Sequence, residues 1–192
     1  MAKAYGLEFS EEEKERYVAM WRSANPHTVE LWKIMERAFV AAIHRGNCSE
    51  PIEVNRGIKV RMQYGCLLVE LPSGRIMSYP RVKAVDTEKG YEITYERLNQ
   101  TTKKWEVSKT YGGKIVENVV QAISRDILCI VMLKLDKLGH KIAFHVHDEC
   151  IIDSPDHDAL PKIEAIFGEE IPWAKGLPLR GAGYSTPFYM KD

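Results

Sequence analysis

The spacing of hydrophobic residues changes along the chain and divides it into helical and extended stretches. Over residues 10–46, large apolar residues recur every three or four positions, which predicts two consecutive α-helices. Ser10 and Glu13 form a capping box, which predicts the start of the first helix. Asn25 and Pro26 predict its end, with Asn25 as the N-cap of the second helix and Pro26 as its first residue.

Between about residues 52 and 111, apolar residues alternate with polar ones, and this period of two predicts β-strands. Turn sequences at 72–74 (Pro-Ser-Gly) and 88–90 (Glu-Lys-Gly) separate the runs, so we expect an antiparallel meander. Its polar tip at 99–104 carries amide, hydroxyl and lysine side chains that could contact a phosphate backbone. An ordinary hydrophilic loop is the simpler interpretation of this tip.

A long helix is predicted from about residue 114 to 138, with Gly139 as its stop. The residues expected to face a core are Val116, Val119, Ile123, Ile127, Ile130 and Leu133. On the opposite side Lys114, Asn118, Gln121 and Arg125 recur at helical spacing and form a polar stripe. Amides and cations are the groups that contact phosphates and base edges, so the stripe is either a solvated helix face or a nucleic-acid contact.

Residues 142–153 predict a β-hairpin, because two short apolar runs flank the polar residues His147, Asp148 and Glu149. Aspartate tolerates unusual backbone angles, so we expect Asp148 at the tip with its carboxylate exposed and held in place. Mg²⁺ takes few protein carboxylates and completes its octahedron with water and phosphate oxygens. Asp148 is therefore a candidate metal ligand, and a solvated turn residue is the alternative.

The remaining sequence predicts a short helix opened by Ser154 and Pro155, and one last strand over residues 177–183. Helices and antiparallel strands in separate stretches predict an α+β fold. We expect three segments within residues 1–192: a helical pair at 10–46, a β-meander at 52–111, and the long helix with the hairpin and tail at 114–192.

Composition restricts the class of protein. The 192 residues are enough for one sizeable core, or for one domain with a lobe attached. The 27 basic and 27 acidic residues cancel, so there is no overall attraction to nucleic acid or to a membrane surface, although a local groove stays possible. The four cysteines lie far apart and are expected to be reduced. Without a long apolar run, we expect a soluble, cytoplasmic chain with no membrane partner.

Several motifs together carry a resemblance. The principal ones are Val116-Glu-Asn-Val-Val-Gln-Ala-Ile-Ser-Arg-Asp126 and, further along, His145-Val-His-Asp-Glu149. This combination resembles the C-terminal part of family A, polymerase-I-like DNA polymerases, and in particular their phage-encoded branch. Shorter stretches similar to that branch are Leu71–Arg75, Thr110–Gly113, Trp21–Pro26, Pro172–Trp173 and Tyr189–Asp192.

The resemblance implies a reaction and roles for the hairpin residues. In that family two Mg²⁺ ions support the templated addition of a deoxynucleotide to a primer 3′-hydroxyl. By match to the motif, Asp148 would be a metal-binding carboxylate, and Glu149 would support the metal site or the primer terminus. His147 would position the primer terminus by hydrogen bonding. All three would lie in a palm hairpin.

The resemblance also implies contacts from the long helix and a set of partners. Gln121 would contact the template-primer near the nascent base pair, as would Asn118 and Arg125 by a weaker match. Lys114 is placed with them by the polar stripe alone. The implied partners are primer-template DNA, deoxynucleoside triphosphates and the missing N-terminal portion of the polymerase. The hairpin and helix would belong to the palm and distal fingers.

The chain also departs from the family pattern. The family has a second metal carboxylate in an Asp-Tyr-Ser-like motif and a fingers helix whose cations hold the triphosphate, and neither is found here. Residues 67–70 form an apolar run with an acidic end, but Leu71-Pro-Ser follows it. The two-metal site would be only partly encoded, so we expect a C-terminal polymerase portion with little or no activity alone. It could derive from a recombinant segment, a split gene or a remnant, and its uncovered apolar surface should favour self-association.

Three other interpretations stay open. A metal-dependent phosphohydrolase could use His145, His147 and Asp148 as ligands, with His44 as a further candidate. Such hydrolases hold the His-Asp pair on a helix, whereas the flanking residues here are extended. A non-catalytic DNA-binding or partner-binding module would show DNA affinity that falls with salt but does not depend on divalent metal. A plain α+β domain would have only a turn at this position.

Overall fold

The structure, a computed structural model, describes residues 9–88, 90–156 and 158–190 and has the predicted α+β fold. Lys191 and Asp192, which belong to the last of the resembling stretches, lie outside the described residues. The helices are α1 (Glu11–Ala24), α2 (Pro26–Arg45), α3 (Gly112–Lys137) and α4 (Leu160–Phe167), with a short 3-10 helix at Pro172–Ala174. The strands are β1 (Ile52–Asn55), β2 (Ile58–Gln63), β3 (Cys66–Glu70), β4 (Ile76–Pro80), β5 (Lys83–Thr87), β6 (Gly90–Leu98), β7 (Trp105–Thr110), β8 (Lys141–Val146) and β9 (Glu149–Asp153).

The chain divides into two compact units. The first unit comprises Met1–Glu70 and Ile76–Asn118, and the second comprises Leu71–Arg75 and Val119–Asp192. In the first unit the strands of the predicted meander form two antiparallel sheets, in the orders β1-β2-β3-β4 and β5-β6-β7. Apolar side chains of α2 and of both sheets are buried together because each element has one hydrophobic face.

The first helix is capped as predicted but buries none of its residues. Ser10 Oγ accepts from the Glu13 amide, and the Glu13 carboxylate accepts in return from the Ser10 amide. Asn25 is the N-cap residue of α2, as predicted, but its side chain does not cap that helix, because its amide points back and donates to the Trp21 carbonyl at 2.8 Å. Asn25 therefore closes the end of α1, while Pro26 begins α2 as predicted.

The start of α3 lies directly against α2. A Cβ atom added at Gly112 would come within 2.1 Å of the Trp32 carbonyl oxygen. The Gly112 amide donates to a Glu36 carboxylate oxygen at 2.7 Å, which satisfies one of the free N–H groups of the helix N-terminus. A glycine is thus required where the two backbones meet.

The second unit is built around the C-terminal part of α3. Val131, Leu135 and Ile166 form its buried core, and Ile142, Cys150, Ile152, Ile163 and Phe167 pack around them. The prediction for Leu133 is wrong, since this side chain is 59% exposed. Val131 and Leu135 are one helical turn apart and take the core side, which turns Leu133 away from the core.

Two predictions for the tail are also wrong. The helix after the hairpin begins at Leu160, whereas the Ser154 hydroxyl accepts from the Asp156 amide at 3.2 Å in a local turn. Residues 177–183 form no strand, because they lie against α4 rather than beside a sheet edge. There the Gly183 amide donates to Glu164 at 2.7 Å.

The remaining general predictions concern cysteines and membranes. Cys48, Cys66, Cys129 and Cys150 are all free thiols, as expected from their separation in sequence. Within the described ranges, no helix combines the length and the hydropathy that crossing a membrane requires.

Candidate functional site

The predicted hairpin exists and ends in a two-residue turn. Strands β8 and β9 pair up to Val146 and Glu149, which leaves His147 and Asp148 as the turn. His147 has a φ of 50°, whereas Asp148 does not have positive φ. Positive φ at a central position is common in two-residue hairpin turns, whose twist then matches the paired strands. The unusual backbone angle thus falls on His147, and Asp148 is the second residue of the turn.

The base of this hairpin is anchored to the second unit. Ile142, Cys150 and Ile152 pack on the core of that unit, and burial raises the pKa of the Cys150 thiol. On β8, the Phe144 ring meets the Tyr189 ring edge-on with 5.1 Å between centroids. The pairing register shifts by one residue between Ile142 and Phe144, which is a β-bulge. The tip is therefore carried on a fixed support.

The side chains at the tip are open to solvent. His147 and Asp148 are exposed and Glu149 is half-buried. Within the part of the chain that the structure describes, none of the three makes a side-chain hydrogen bond or an ion pair. A carboxylate held in this way keeps its lone pairs available for a ligand.

One contact joins the hairpin to α3. An Arg125 guanidinium nitrogen lies 3.5 Å from His145 Nε2, at the limit of a hydrogen bond, and the donor depends on the histidine tautomer. Gln121 lies one helical turn before Arg125, and both side chains are exposed. The structure thus brings Arg125, from the predicted stripe, next to the strand that leads to Asp148.

The two earlier residues of the stripe belong to the first unit and are half-buried there. The Asn118 side-chain amide donates to the Tyr79 hydroxyl at 3.1 Å. Desolvation by burial raises the pKa of Tyr79, the Asn118 hydrogen bond lowers it, and the nearby Tyr95 raises it, with a net upward shift. Lys114 makes no ion pair with the described residues. Asn118 thus already has a structural partner.

A buried ionic cluster in the second unit was not foreseen from the sequence. Asp126 is only 8% exposed, and its two carboxylate oxygens accept from Ser73 Oγ and Arg75 Nε, each at 2.5 Å. Arg75 also donates to the Ala122 carbonyl at 2.8 Å. Two of the resembling motifs, the one at residues 71–75 and the one on α3, therefore contact each other directly.

A sequence signal for this cluster did exist. Asp126 lies seven residues after Val119 and three after Ile123, so helical periodicity places it on the apolar side of α3. A charged residue at such a position needs a partner when it is buried. The sequence does not reveal which residue that partner is.

The candidate ligands do not form a complete metal site. Among the described residues, no three His, Cys, Asp or Glu side chains are grouped so that they could hold a metal ion. His147 and Asp148 stand in a turn between strands, not on the helix that the hydrolase interpretation requires. His44 belongs to the first unit, where its ring packs edge-on against Tyr91. The residues present can offer a metal one open carboxylate, Asp148, with Glu149 beside it.

Comparison with known proteins gives one informative match. The chain is similar to the DNA polymerase of Bacillus phage SP02. The two sequences are 41% identical in an alignment 192 residues long, which covers 98% of this chain and 29% of that polymerase. The chain thus spans less than a third of the length of this relative. No protein-family profile matches the chain, and no solved structure matches it.

Proposed function

We propose that this chain is part of a DNA polymerase of family A, phage type, and contributes to adding deoxynucleotides to a primer 3′-hydroxyl. The observation that carries the proposal is the 41% identity to a phage DNA polymerase across almost the whole chain. The hairpin supports it, because the motif that resembles the polymerase palm folds with Asp148 exposed on a two-residue turn. Primer-template DNA and deoxynucleoside triphosphates are the proposed substrates.

The hairpin tip has three proposed roles. Asp148 supplies one oxygen ligand to Mg²⁺, and Glu149 supports the metal or the primer terminus from the first residue of β9. His147 is exposed at the turn and donates a hydrogen bond to the primer terminus. The strained backbone angle at His147 is stabilised by the paired strands on both sides, so the imidazole starts from a fixed Cα position.

The proposed contacts of α3 are with the template-primer. Gln121 and Arg125 are exposed on one side of the helix, where an amide and a guanidinium can bond to base edges and phosphates. The proximity of Arg125 to His145 supports a shared role beside the hairpin. Asn118 and Lys114 extend the same proposal, with Asn118 also bonded to Tyr79.

The chain alone is proposed to be inactive or nearly so. One open carboxylate does not hold two metal ions, and the described residues offer no third ligand near Asp148. The relative is more than three times as long as the aligned segment, so the other ligands and the triphosphate site would come from the rest of such a polymerase.

A non-catalytic DNA-binding module is the second candidate. The observation that favours it is the same lack of a complete metal site among the described residues. Such a module would bind DNA through Gln121 and Arg125, with an affinity that falls with salt and does not respond to Mg²⁺. The two candidates differ in whether Asp148 has a function.

The decisive experiment replaces the aligned segment of the phage SP02 DNA polymerase with this chain and measures primer extension with Mg²⁺. We expect the chimera to extend the primer, and its Asp148→Asn variant to lose at least about a hundredfold in rate. The matched control is Asp136→Asn, an exposed carboxylate on α3 without a side-chain partner among the described residues. If both variants extend equally, Asp148 is no metal ligand. If a folded chimera binds primed DNA but never extends it, the DNA-binding module is the better account.

A further inference from the structure

The hairpin formed by β6 and β7 ends in an ordered loop. Asn99 Oδ1 accepts from the amides of Thr101 and Thr102 at 2.9 and 3.0 Å, and the Asn99 amide donates to the Lys104 carbonyl at 2.8 Å. Lys103 has a φ of 55° and completes the loop in the left-handed region. Because the loop is already folded by its own hydrogen bonds, binding a ligand there would cost little ordering entropy.

The charges at this tip are unbalanced although the whole chain is neutral. Lys103 and Lys104 are exposed and form no ion pair within the described part of the chain. Glu106, the first carboxylate after the loop in sequence, is already engaged by Arg97 at 3.2 Å and by the side-chain amide of Asn99 at 2.9 Å. The tip therefore presents two free cations.

An aromatic residue, Trp105, directly follows these lysines in sequence and begins β7. Trp105 is 63% exposed, and it lies opposite Leu98 in the strand pairing. Among the described residues it has no ring partner, whereas Trp21 and Trp32 stack on each other with 5.6 Å between centroids. One large indole surface is thus left open at the edge of a basic loop.

We propose that this tip, residues 99–105, binds single-stranded DNA, and the inference rests on the proposed polymerase function because it names an unpaired template strand as the ligand. Lysines that contact phosphates, next to an aromatic face on which a base can stack, are the means by which proteins hold single strands without reading sequence. A duplex fits less well, since its bases are already stacked. The exposed apolar residues here are Trp105, Val107 and Leu98, and every residue of the loop at 99–104 is polar or cationic.

The test measures binding of a short fluorescein-labelled oligothymidylate, and of a blunt duplex, by fluorescence anisotropy with the 192-residue chain. We expect Trp105→Leu to weaken single-strand binding about tenfold and to leave duplex binding unchanged, while Trp105→Phe retains most of the affinity. Replacing Lys103 and Lys104 with glutamine should reduce the salt dependence of single-strand binding by about 1.4 in log–log slope, for two phosphate contacts.

The matched control removes the same charge elsewhere. Lys137→Gln combined with Lys175→Gln changes two exposed lysines of the second unit and should leave the slope near that of the unmodified chain. Equal weakening of single-strand and duplex binding by Trp105→Leu would overturn the stacking role. Unchanged oligothymidylate binding in every tip variant would overturn the inference while leaving the Asp148 experiment unaffected. If light scattering showed that the chain is a dimer and that Trp105→Leu makes it monomeric, the inference would be overturned, because the indole would then contact a second copy of the chain.

Discussion

Asp126 and Asp148 are both carboxylates of the second unit, but their surroundings are opposite. Asp126 is buried, and each of its oxygens accepts from a side chain of residues 71–75. Asp148 is exposed on a hairpin turn and has no side-chain partner among the described residues. A buried carboxylate whose two oxygens both accept hydrogen bonds holds two segments together, whereas an exposed one without such bonds can receive a ligand. Hydrogen bonding thus separates a structural aspartate from a candidate binding one.

The largest effect on stability is expected from Asp126→Asn. Asparagine has no charge, so the ion pair with Arg75 is lost. If its NH₂ group faces Arg75 Nε, two donors meet and the buried side chain is left poorly paired. We expect the free energy of unfolding to fall by about 2 kcal/mol, at the low end for a buried pair because Arg75 is 46% exposed. Urea denaturation followed by circular dichroism measures the change.

Two matched variants sharpen the comparison. Asp136→Asn changes an exposed carboxylate of the same helix, and Asp148→Asn changes the one at the hairpin tip. Both should alter the free energy of unfolding by less than about 0.5 kcal/mol, as surface substitutions do. If Asp148→Asn destabilised the chain as much as Asp126→Asn, Asp148 would have a structural role, and the two carboxylates would not differ as described.

A smaller effect is expected for the coupling between Arg75 and Asp126. A double-mutant cycle with Arg75→Gln and Asp126→Asn should give a coupling energy of about 1 kcal/mol, because the two side chains share one network. The comparison cycle uses Lys141→Gln and Asp153→Asn. Both side chains of this ion pair are exposed, so their coupling energy should be less than about 0.5 kcal/mol. Equal coupling energies in the two cycles would show that the burial of Asp126 does not strengthen its interaction with Arg75.

Tyr79 gives a prediction about pH in the first unit. Burial raises its pKa above the usual 10.0, so the folded state keeps the phenolic proton where the unfolded state has lost it. The stability from neutral Tyr79 is complete below pH 10 and falls as the pH rises through the folded-state pKa. We expect Tyr79→Phe to be about 1 kcal/mol less stable at pH 7, because Asn118 loses its acceptor, and to lose less stability above pH 10.

The control for this pH dependence is Tyr64→Phe. Tyr64 is 86% exposed, so its replacement should leave the fall in stability above pH 10 unchanged. Urea titrations at a series of pH values compare the three proteins. If the free energy of unfolding of Tyr79→Phe fell with pH in parallel with that of the unmodified chain, the Tyr79 phenol would have the same pKa in the folded and unfolded states.

The smallest expected effect is chemical and compares the hairpin base with an exposed loop. Burial raises the pKa of the Cys150 thiol and limits access to it, whereas Cys48 is exposed. Iodoacetamide near pH 8 should therefore alkylate Cys48 before Cys150, as measured by mass spectrometry of peptides at successive times. Faster alkylation of Cys150 would mean that the hairpin base opens readily.

Local signals predicted much of the fold. The capping box at Ser10, the glycine stop of α3 and the hairpin around Asp148 all depend on residues close together in sequence, and all three are present. The partners of Asp126 could not be predicted, because Arg75 is 51 positions away and only folding brings them together. The position of Asn25 at the N-cap of α2 was also predictable, but its side chain bonds to the end of α1, because the same amide can cap either helix end.

The candidate site was predictable only in part for a related reason. A turn sequence predicts that a carboxylate is exposed, and that exposure is observed for Asp148. Whether it binds a metal depends on other ligands, and the described residues do not bring a third one to it. The roles of His147, Glu149, Gln121 and Arg125 therefore stay predictions that need the chimera to test them.

The contact between Gly112 and Trp32 has a consequence for how this protein can evolve. No side chain fits between that Cα and the Trp32 carbonyl oxygen, so even alanine would force two helices apart. In a library of all single substitutions selected for folding, we expect position 112 to accept glycine alone. Gly65 and Gly74 point into open space but have positive φ, so they should accept asparagine or aspartate. Substitution would then be excluded by lack of space at Gly112 and only disfavoured by backbone geometry at Gly65 and Gly74.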